Sequence, residues 1–140
     1  MGRANKKNHN NNNSKRKIMI VDDDKEFLEE IRQLLEFYGY EAKSFQDAAS
    51  ALRAARSLDP DLMLLDLKMD GMDGFQLADR LTQSMETSDI PLIAMTGYYT
   101  FSEQQIRLMD ALGIKAFIKK PFKPLVLIEK IEAVLAENSK

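Results

Sequence analysis

The chain has 140 residues and 16.0 kDa, enough for one domain with a sizeable core, and its 44% hydrophobic and 30% charged content is ordinary for a globular protein. A formal charge of −2 excludes the basic excess of a nucleic-acid-binding domain, and the absence of cysteine excludes disulfides, thiolate metal sites and thiol nucleophiles. No apolar run approaches the roughly 18 residues of a membrane span, so the expectation is a cytoplasmic protein that makes no membrane contact.

Residues 1–16, "MGRANKKNHNNNNSKR", carry five basic residues, no acid and no apolar periodicity. With almost nothing to bury, this segment is predicted to be a disordered, basic, Asn-rich tail, a leader rather than an arm for nucleic acid. His9, the only histidine, lies in it, so residues 17–138 offer no imidazole for catalysis, metal binding or phosphoryl transfer.

From Lys17 onward, apolar strand-like runs alternate with segments of helical period. "KIMIV" reads as a buried strand, followed by a helix with Phe27, Ile31, Leu34 and Leu35 at helical spacing that ends near Gly39. "YEAKSF" is a second strand candidate, and Ala48, Leu52 and Ala55 mark a small-faced helix closed by Asp59-Pro60. "DLMLLD" is a third buried strand. A turn-rich "KMDGMDG" leads into a helix carrying Ala78, Leu81 and Met85. "LIAM", opened by Pro91, is strand four, and a helix spans about Ser102 to Leu112, capped by Gly113. "KAFIK" is strand five, and Leu127, Ile128, Ile131, Val134 and Leu135 form the buried stripe of the last helix.

Strands that are apolar throughout, rather than alternating, belong to a parallel sheet covered on both faces. The prediction is one doubly wound α/β domain over residues 17–138, with five parallel strands in the order 2-1-3-4-5. Ligands of such sheets bind beyond the carboxyl ends of the strands, at the switch point. Those ends carry Asp22 and Asp23 after strand one, Asp66 after strand three, Thr96 after strand four and Lys120 after strand five. Carboxylates crowded together raise one another's pKa values, which costs free energy unless a cation joins them. Oxygen donors without histidine or cysteine select Mg²⁺, Mn²⁺ or Ca²⁺. Asp24 reads instead as the cap of the first helix.

"IMIVDDD", "PDLMLLDLKMDGMDGF", "PLIAMTG" and "AFIKKPF" stand in the order and spacing of the receiver domains of two-component response regulators, and the chain resembles that family over residues 17–138. The resemblance implies a flavodoxin-like fold and a non-enzymatic phosphoacceptor switch. It implies Asp66 as phosphoacceptor; Asp22, Asp23, Asp66 and the main-chain carbonyl of Lys68 around Mg²⁺, with Mn²⁺ as an alternative; and Thr96 and Lys120 as the phosphoryl-contacting pair. Thr96 and Phe117 take the switch positions, and Lys120-Pro121 is expected to be cis. Lys68 and Tyr98 flank the path of an attacking water and are expected to slow dephosphorylation. The implied partners are a sensor histidine kinase or a histidine phosphotransfer protein, and a downstream protein that reads the face of helix four, strand five and helix five. A homodimer on activation is a further option on that face.

Two departures stand out: Asp70 occupies a place where most receivers have proline, and the segment between Thr96 and Lys120 is slightly longer than usual. Two other readings stay open. A Mg²⁺-dependent phosphatase of the haloacid dehalogenase type wants a second carboxylate two residues after its nucleophile, where this chain has Lys68. A phosphorylation-independent pseudo-receiver usually lacks the acceptor, an acid or the lysine, and none is missing here. Tyr98, Tyr99 and Phe101 either form a partner surface or pack over their loop.

Overall fold

Runs of apolar residues bounded by Asp, Gly and Pro become strands here because both of their faces are covered. A computed structural model describes residues 14–97 and 101–138. In chain order the elements are β1 (Lys17–Val21), α1 (Lys25–Phe37), β2 (Glu41–Phe45), α2 (Ala48–Leu58), β3 (Leu62–Asp66), α3 (Gly74–Thr82), β4 (Leu92–Thr96), α4 (Glu103–Ala111), β5 (Ile114–Lys119) and α5 (Pro124–Asn138). Among the described residues the strands form one parallel sheet in the order β2-β1-β3-β4-β5.

The central strands are wholly buried in β3 and β4, as their composition predicts. Alternate side chains serve two separate cores. Ile18, Ile20, Leu62, Leu64, Ile93 and Met95 pack beneath α1 and α5. Met19, Val21, Met63, Leu65 and Ala94 pack beneath α2, α3 and α4. The fully buried residues of helix α2 are alanines, Ala48, Ala51 and Ala55, with Leu52 and Leu58 packed partly buried against the same core. The edge strands β2 and β5 expose part of their length, so their patterns alternate more.

Local signals set the helix ends. The Asp24 side chain accepts a hydrogen bond from Phe27 N at 3.1 Å and caps α1, as expected. Ser102 and Gln105 form a capping box at the start of α4, and Gly113, with φ of +82°, follows its end. The last helix buries the five residues of its predicted stripe.

Two apolar patterns need correction. Met85 is not on α3 but 91% exposed in the following turn. The helix stops because the buried hydroxyl of Thr87 donates to the carbonyl of Leu81 at 2.6 Å, satisfying an end group that another helical turn would otherwise have satisfied. On α1 the buried stripe is Leu28, Ile31 and Leu35, while Phe27 and Leu34 lie at its margin.

Ser14, Lys15 and Arg16 are exposed and carry no regular structure, although the Arg16 carbonyl accepts from Glu41 N at 2.8 Å. The rest of the predicted tail lies outside the described residues, as do Tyr98 and Tyr99. Among the described residues, no helix is long and apolar enough to cross a membrane.

Candidate functional site

The β1 ladder continues one residue past the strand, where Asp22 N donates to the Phe45 carbonyl at 3.1 Å. This fixes the Asp22 backbone and buries its side chain to 1% exposure. Its Oδ1 accepts from Asp24 N at 2.9 Å, so the three successive aspartates divide their tasks. Asp22 points inward, Asp23 is exposed, and Asp24 caps α1.

Leu65 pairs with Val21 in the sheet, which sets Asp66 beside Asp22 at the carboxyl edge. Asp66 is buried, and its Oδ1 accepts from Lys68 N at 3.1 Å. Carboxylate oxygens of Asp22, Asp23 and Asp66 all lie within 4.8 Å of one another. Asp66 in turn pairs with Met95, so Thr96 is the next position along the adjacent strand, and it is buried. The Thr96 carbonyl accepts from Lys120 N at 2.7 Å, tying the end of β5 to the same edge. Lys120-Pro121 is cis.

From there the Lys120 side chain reaches back into the acids. Its Nζ lies 2.6 Å from Asp22 Oδ2 and 3.6 Å from Asp66 Oδ2. Burial raises the pKa of Asp66 above the usual carboxylate value, the Lys68 amide and the Lys120 ammonium pull it back down, and Asp22 and Asp23 push it up again. One lysine does not neutralise three carboxylates. The donor set, hard oxygens in close reach of one another with no nitrogen or sulfur among them, suits a hard divalent cation.

A scan against family models matches residues 18–132 to the response regulator receiver domain. The chain belongs to this family. The receiver is 31% identical over 108 residues to protein PilH of Pseudomonas aeruginosa, a match covering 76% of this chain and 87% of PilH. It is 35% identical over 107 residues to the phosphate regulon transcriptional regulatory protein PhoB of the same organism, but there the match spans only 46% of the relative. A CheY-like receiver domain from Methanospirillum hungatei superposes with a TM-score of 0.81 at 33% identity, covering 89% of this chain and 97% of the other. The chemotaxis protein CheY4 of Vibrio cholerae has the same fold, with a TM-score of 0.80 at 24% identity and coverage of 86% and 99%. Receivers of response regulators are phosphoacceptor signalling modules that take their phosphoryl group from histidine kinases.

The receiver fold thus brings Asp22, Asp23, Asp66, Thr96 and Lys120 to one edge. Lys68, whose amide bonds Asp66, has an exposed side chain, and Asp70 in the following loop is exposed too. Phe117 sits outside the site, 43% exposed on β5, with its ring 5.1 Å from that of Phe101 in an edge-to-face contact. Phe101 also packs against the core beneath α4, so of the two readings of that loop its packing role holds for this residue. Tyr98 lies outside the described residues.

Two residues near the site escape a linear reading. The Phe27 ring lies 4.3 Å from Lys120 Nζ, and Phe27 was expected only as part of a helical stripe. Gly74 was expected only as part of a turn. A Cβ there would meet the Asp66 carbonyl and lie 2.8 Å from Leu65 Cδ1 and Leu67 Cα, so α3 starts against the backbone that carries Asp66. The second glycine of "GMDG" was the available signal for Gly74, whereas nothing in the sequence pairs Phe27 with Lys120.

Proposed function

We propose that Asp66 is the residue that accepts the phosphoryl group and that Lys120 and Thr96 contact that group. The observation that carries this reading is the convergence on Asp66: its Oδ2 lies 3.6 Å from Lys120 Nζ, within an acidic cluster whose other members, Asp22 and Asp23, directly follow β1. A carboxylate oxygen of Asp66 attacks the phosphorus of a phosphohistidine, an O–P bond forms as the N–P bond breaks, and the electron pair leaves with the imidazole nitrogen. Such a transfer is loose in character, so the protein contributes mainly position and charge neutralisation. The Lys120 ammonium neutralises a phosphoryl oxygen and the Thr96 hydroxyl donates a hydrogen bond to another. Mg²⁺ (or Mn²⁺), held by Asp22, Asp23, Asp66 and the Lys68 main-chain carbonyl, supplies the remaining positive charge when bound. The haloacid dehalogenase alternative has no support at Lys68, whose exposed side chain is not a carboxylate.

The response is a two-state repacking. Thr96 moves toward the phosphoryl group, and Phe117 turns from its exposed place against Phe101 into the space released. The surface that changes is formed by α4, β5 and α5, where Ile106, Leu108 and Phe117 are exposed apolar side chains for a downstream protein or a second copy. The phosphodonor is a sensor histidine kinase or a histidine phosphotransfer protein. Lys68 and Tyr98 shield the acyl phosphate from water, and a Lys68→Ala, Tyr98→Ala variant loses its phosphoryl group several times faster. The folded receiver spans residues 17–138.

Intact mass after incubation with acetyl phosphate and Mg²⁺ tests the central assignment. The unsubstituted chain gains one phosphoryl group, and Asp66→Asn gains none. A gain that persists in Asp66→Asn would move the acceptor elsewhere. No gain in either protein would favour the pseudo-receiver.

A further inference from the structure

Phe27 is a bulky aromatic residue on the first turn of α1, yet it lies outside the buried stripe of that helix. Its backbone amide donates to the Asp24 side chain at 3.1 Å, so the acidic turn that forms the site also fixes the origin of this side chain. Its ring meets Phe122 edge to face, with centroids 6.0 Å apart and planes at 80°. The Lys120 ammonium sits 4.3 Å from the ring centroid. The ring therefore contacts both Phe122 and the Lys120 ammonium.

The arrangement bears on a conflict within the site. Lys120 Nζ is 2.6 Å from Asp22 Oδ2 but 3.6 Å from Asp66 Oδ2, so Asp22 has the shorter contact with this ammonium. Asp22 is also one of the carboxylates suited to hold a cation. Once it does so, the lysine loses its shortest partner and regains the rotameric freedom of a long side chain. An aromatic face attracts an ammonium through its quadrupole without occupying any carboxylate lone pair. It can keep the lysine in place whichever acid the ammonium is bonded to.

We propose that Phe27 is a positioning residue for Lys120, its ring holding the ammonium at the mouth of the acid cluster so that it serves Asp66 when Asp22 is otherwise engaged. The inference rests on the reading of Asp66 as the acceptor and Lys120 as its phosphoryl contact. It assigns to Phe27 an electrostatic role that an aliphatic residue of similar bulk does not supply.

Two measurements on the full chain test it. In the first, Phe27 is replaced by mono-, di- and trifluorophenylalanine, which keep the ring's shape while weakening its negative face. The initial rate of phosphorylation by acetyl phosphate is then compared with that of Phe27→Leu and Phe27→Tyr. The expected result is a stepwise fall with each fluorine, a loss of roughly five-fold in Phe27→Leu, and near-full rescue in Phe27→Tyr. In the second, NMR follows the ε-methylene protons of Lys120, which are bonded to the carbon that carries the ammonium over the ring and are expected to be shifted upfield by it. That shift persists on addition of Mg²⁺ and is lost in Phe27→Leu. Equal rates across the fluorinated series would overturn the proposal, leaving Phe27 as packing alone, and so would a Lys120 signal without the ring shift. If the unsubstituted chain takes up no phosphoryl group, the reading of Asp66 fails, while the Lys120 signal still decides whether Phe27 holds the lysine.

Discussion

Lys120 and Asp22, 98 residues apart in the chain, form a 2.6 Å ion pair in which the carboxylate is almost wholly removed from water. The lysine itself keeps 24% of its side-chain surface exposed, so solvent screens part of the attraction. Removing the cation leaves buried negative charge without compensation, which costs more than the pair itself contributes. Lys120→Ala is expected to lower the unfolding free energy by about 2 kcal/mol in chelator, discounted from the full buried-pair value for that exposure. Urea titration of the two proteins side by side checks this, and an unchanged midpoint would show that Asp22 finds other compensation.

The raised pKa of Asp66 gives a pH dependence of opposite sign to that of a salt-bridged acid. Its largest cause is burial, which disfavours the charged form in the folded protein only. The folded state therefore binds a proton more readily than the unfolded chain, whose ordinary value is 3.8. The penalty is fully present above the folded pKa and is relieved as pH falls through it toward that ordinary value. In chelator, Asp66→Asn is expected to be more stable than the unsubstituted protein at neutral pH, with the gap closing on acidification through this window. Thermal unfolding from neutral to acid pH checks it, and a gap that widens toward acid would reverse the assignment.

Gly74 is needed for proximity rather than for an unusual backbone angle. The atoms a methyl group would strike include the main chain of Asp66 and Leu67, which cannot rotate aside as the end of a side chain can. Gly74→Ala is expected to cost about 2 kcal/mol and to displace the acceptor. The discriminating measurement is paired: calorimetry for stability, and phosphorylation rate at a temperature where the variant remains folded. A variant that loses stability but phosphorylates normally would mean that α3 yields and Asp66 does not.

The Phe101–Phe117 contact allows the switch to be read as a coupling energy. Edge-to-face pairs contribute about 0.5–1.5 kcal/mol beyond burial, and the exposure of Phe117 puts this one toward the lower end. A double-mutant cycle of Phe101→Ala and Phe117→Ala is expected to give about 0.5 kcal/mol of coupling in the unphosphorylated protein and almost none after phosphorylation. Equal coupling in both states would mean that Phe117 does not leave Phe101.

Asp22, Asp66, Thr96 and Lys120 were legible in the sequence because each stands at the carboxyl end of an apolar run. In a parallel sheet all such ends lie on one edge, so strand period and order suffice to bring them together. Family membership followed from the same residues and their spacing. The stripe of α5 and both ends of α4 were legible for a similar reason, since core-facing period and capping chemistry are local.

What local pattern could not supply was everything decided between elements. Met85 has the spacing of a helix face, but the buried hydroxyl of Thr87 ends α3 before reaching it. Phe27 has the spacing of core, but its ring lies against a lysine from the far end of the chain. Gly74 reads as one more turn residue until Asp66 is found against it, and Phe117 has no visible partner until the fold brings Phe101 to it. The sequence by itself determined the parallel strands, the acid edge and the type of chemistry, because these depend on period and on residue type. Tertiary structure alone decided which acid the lysine meets first, what holds that lysine, and how closely the backbone surrounds the acceptor, because these are distances between segments that no spacing along the chain encodes.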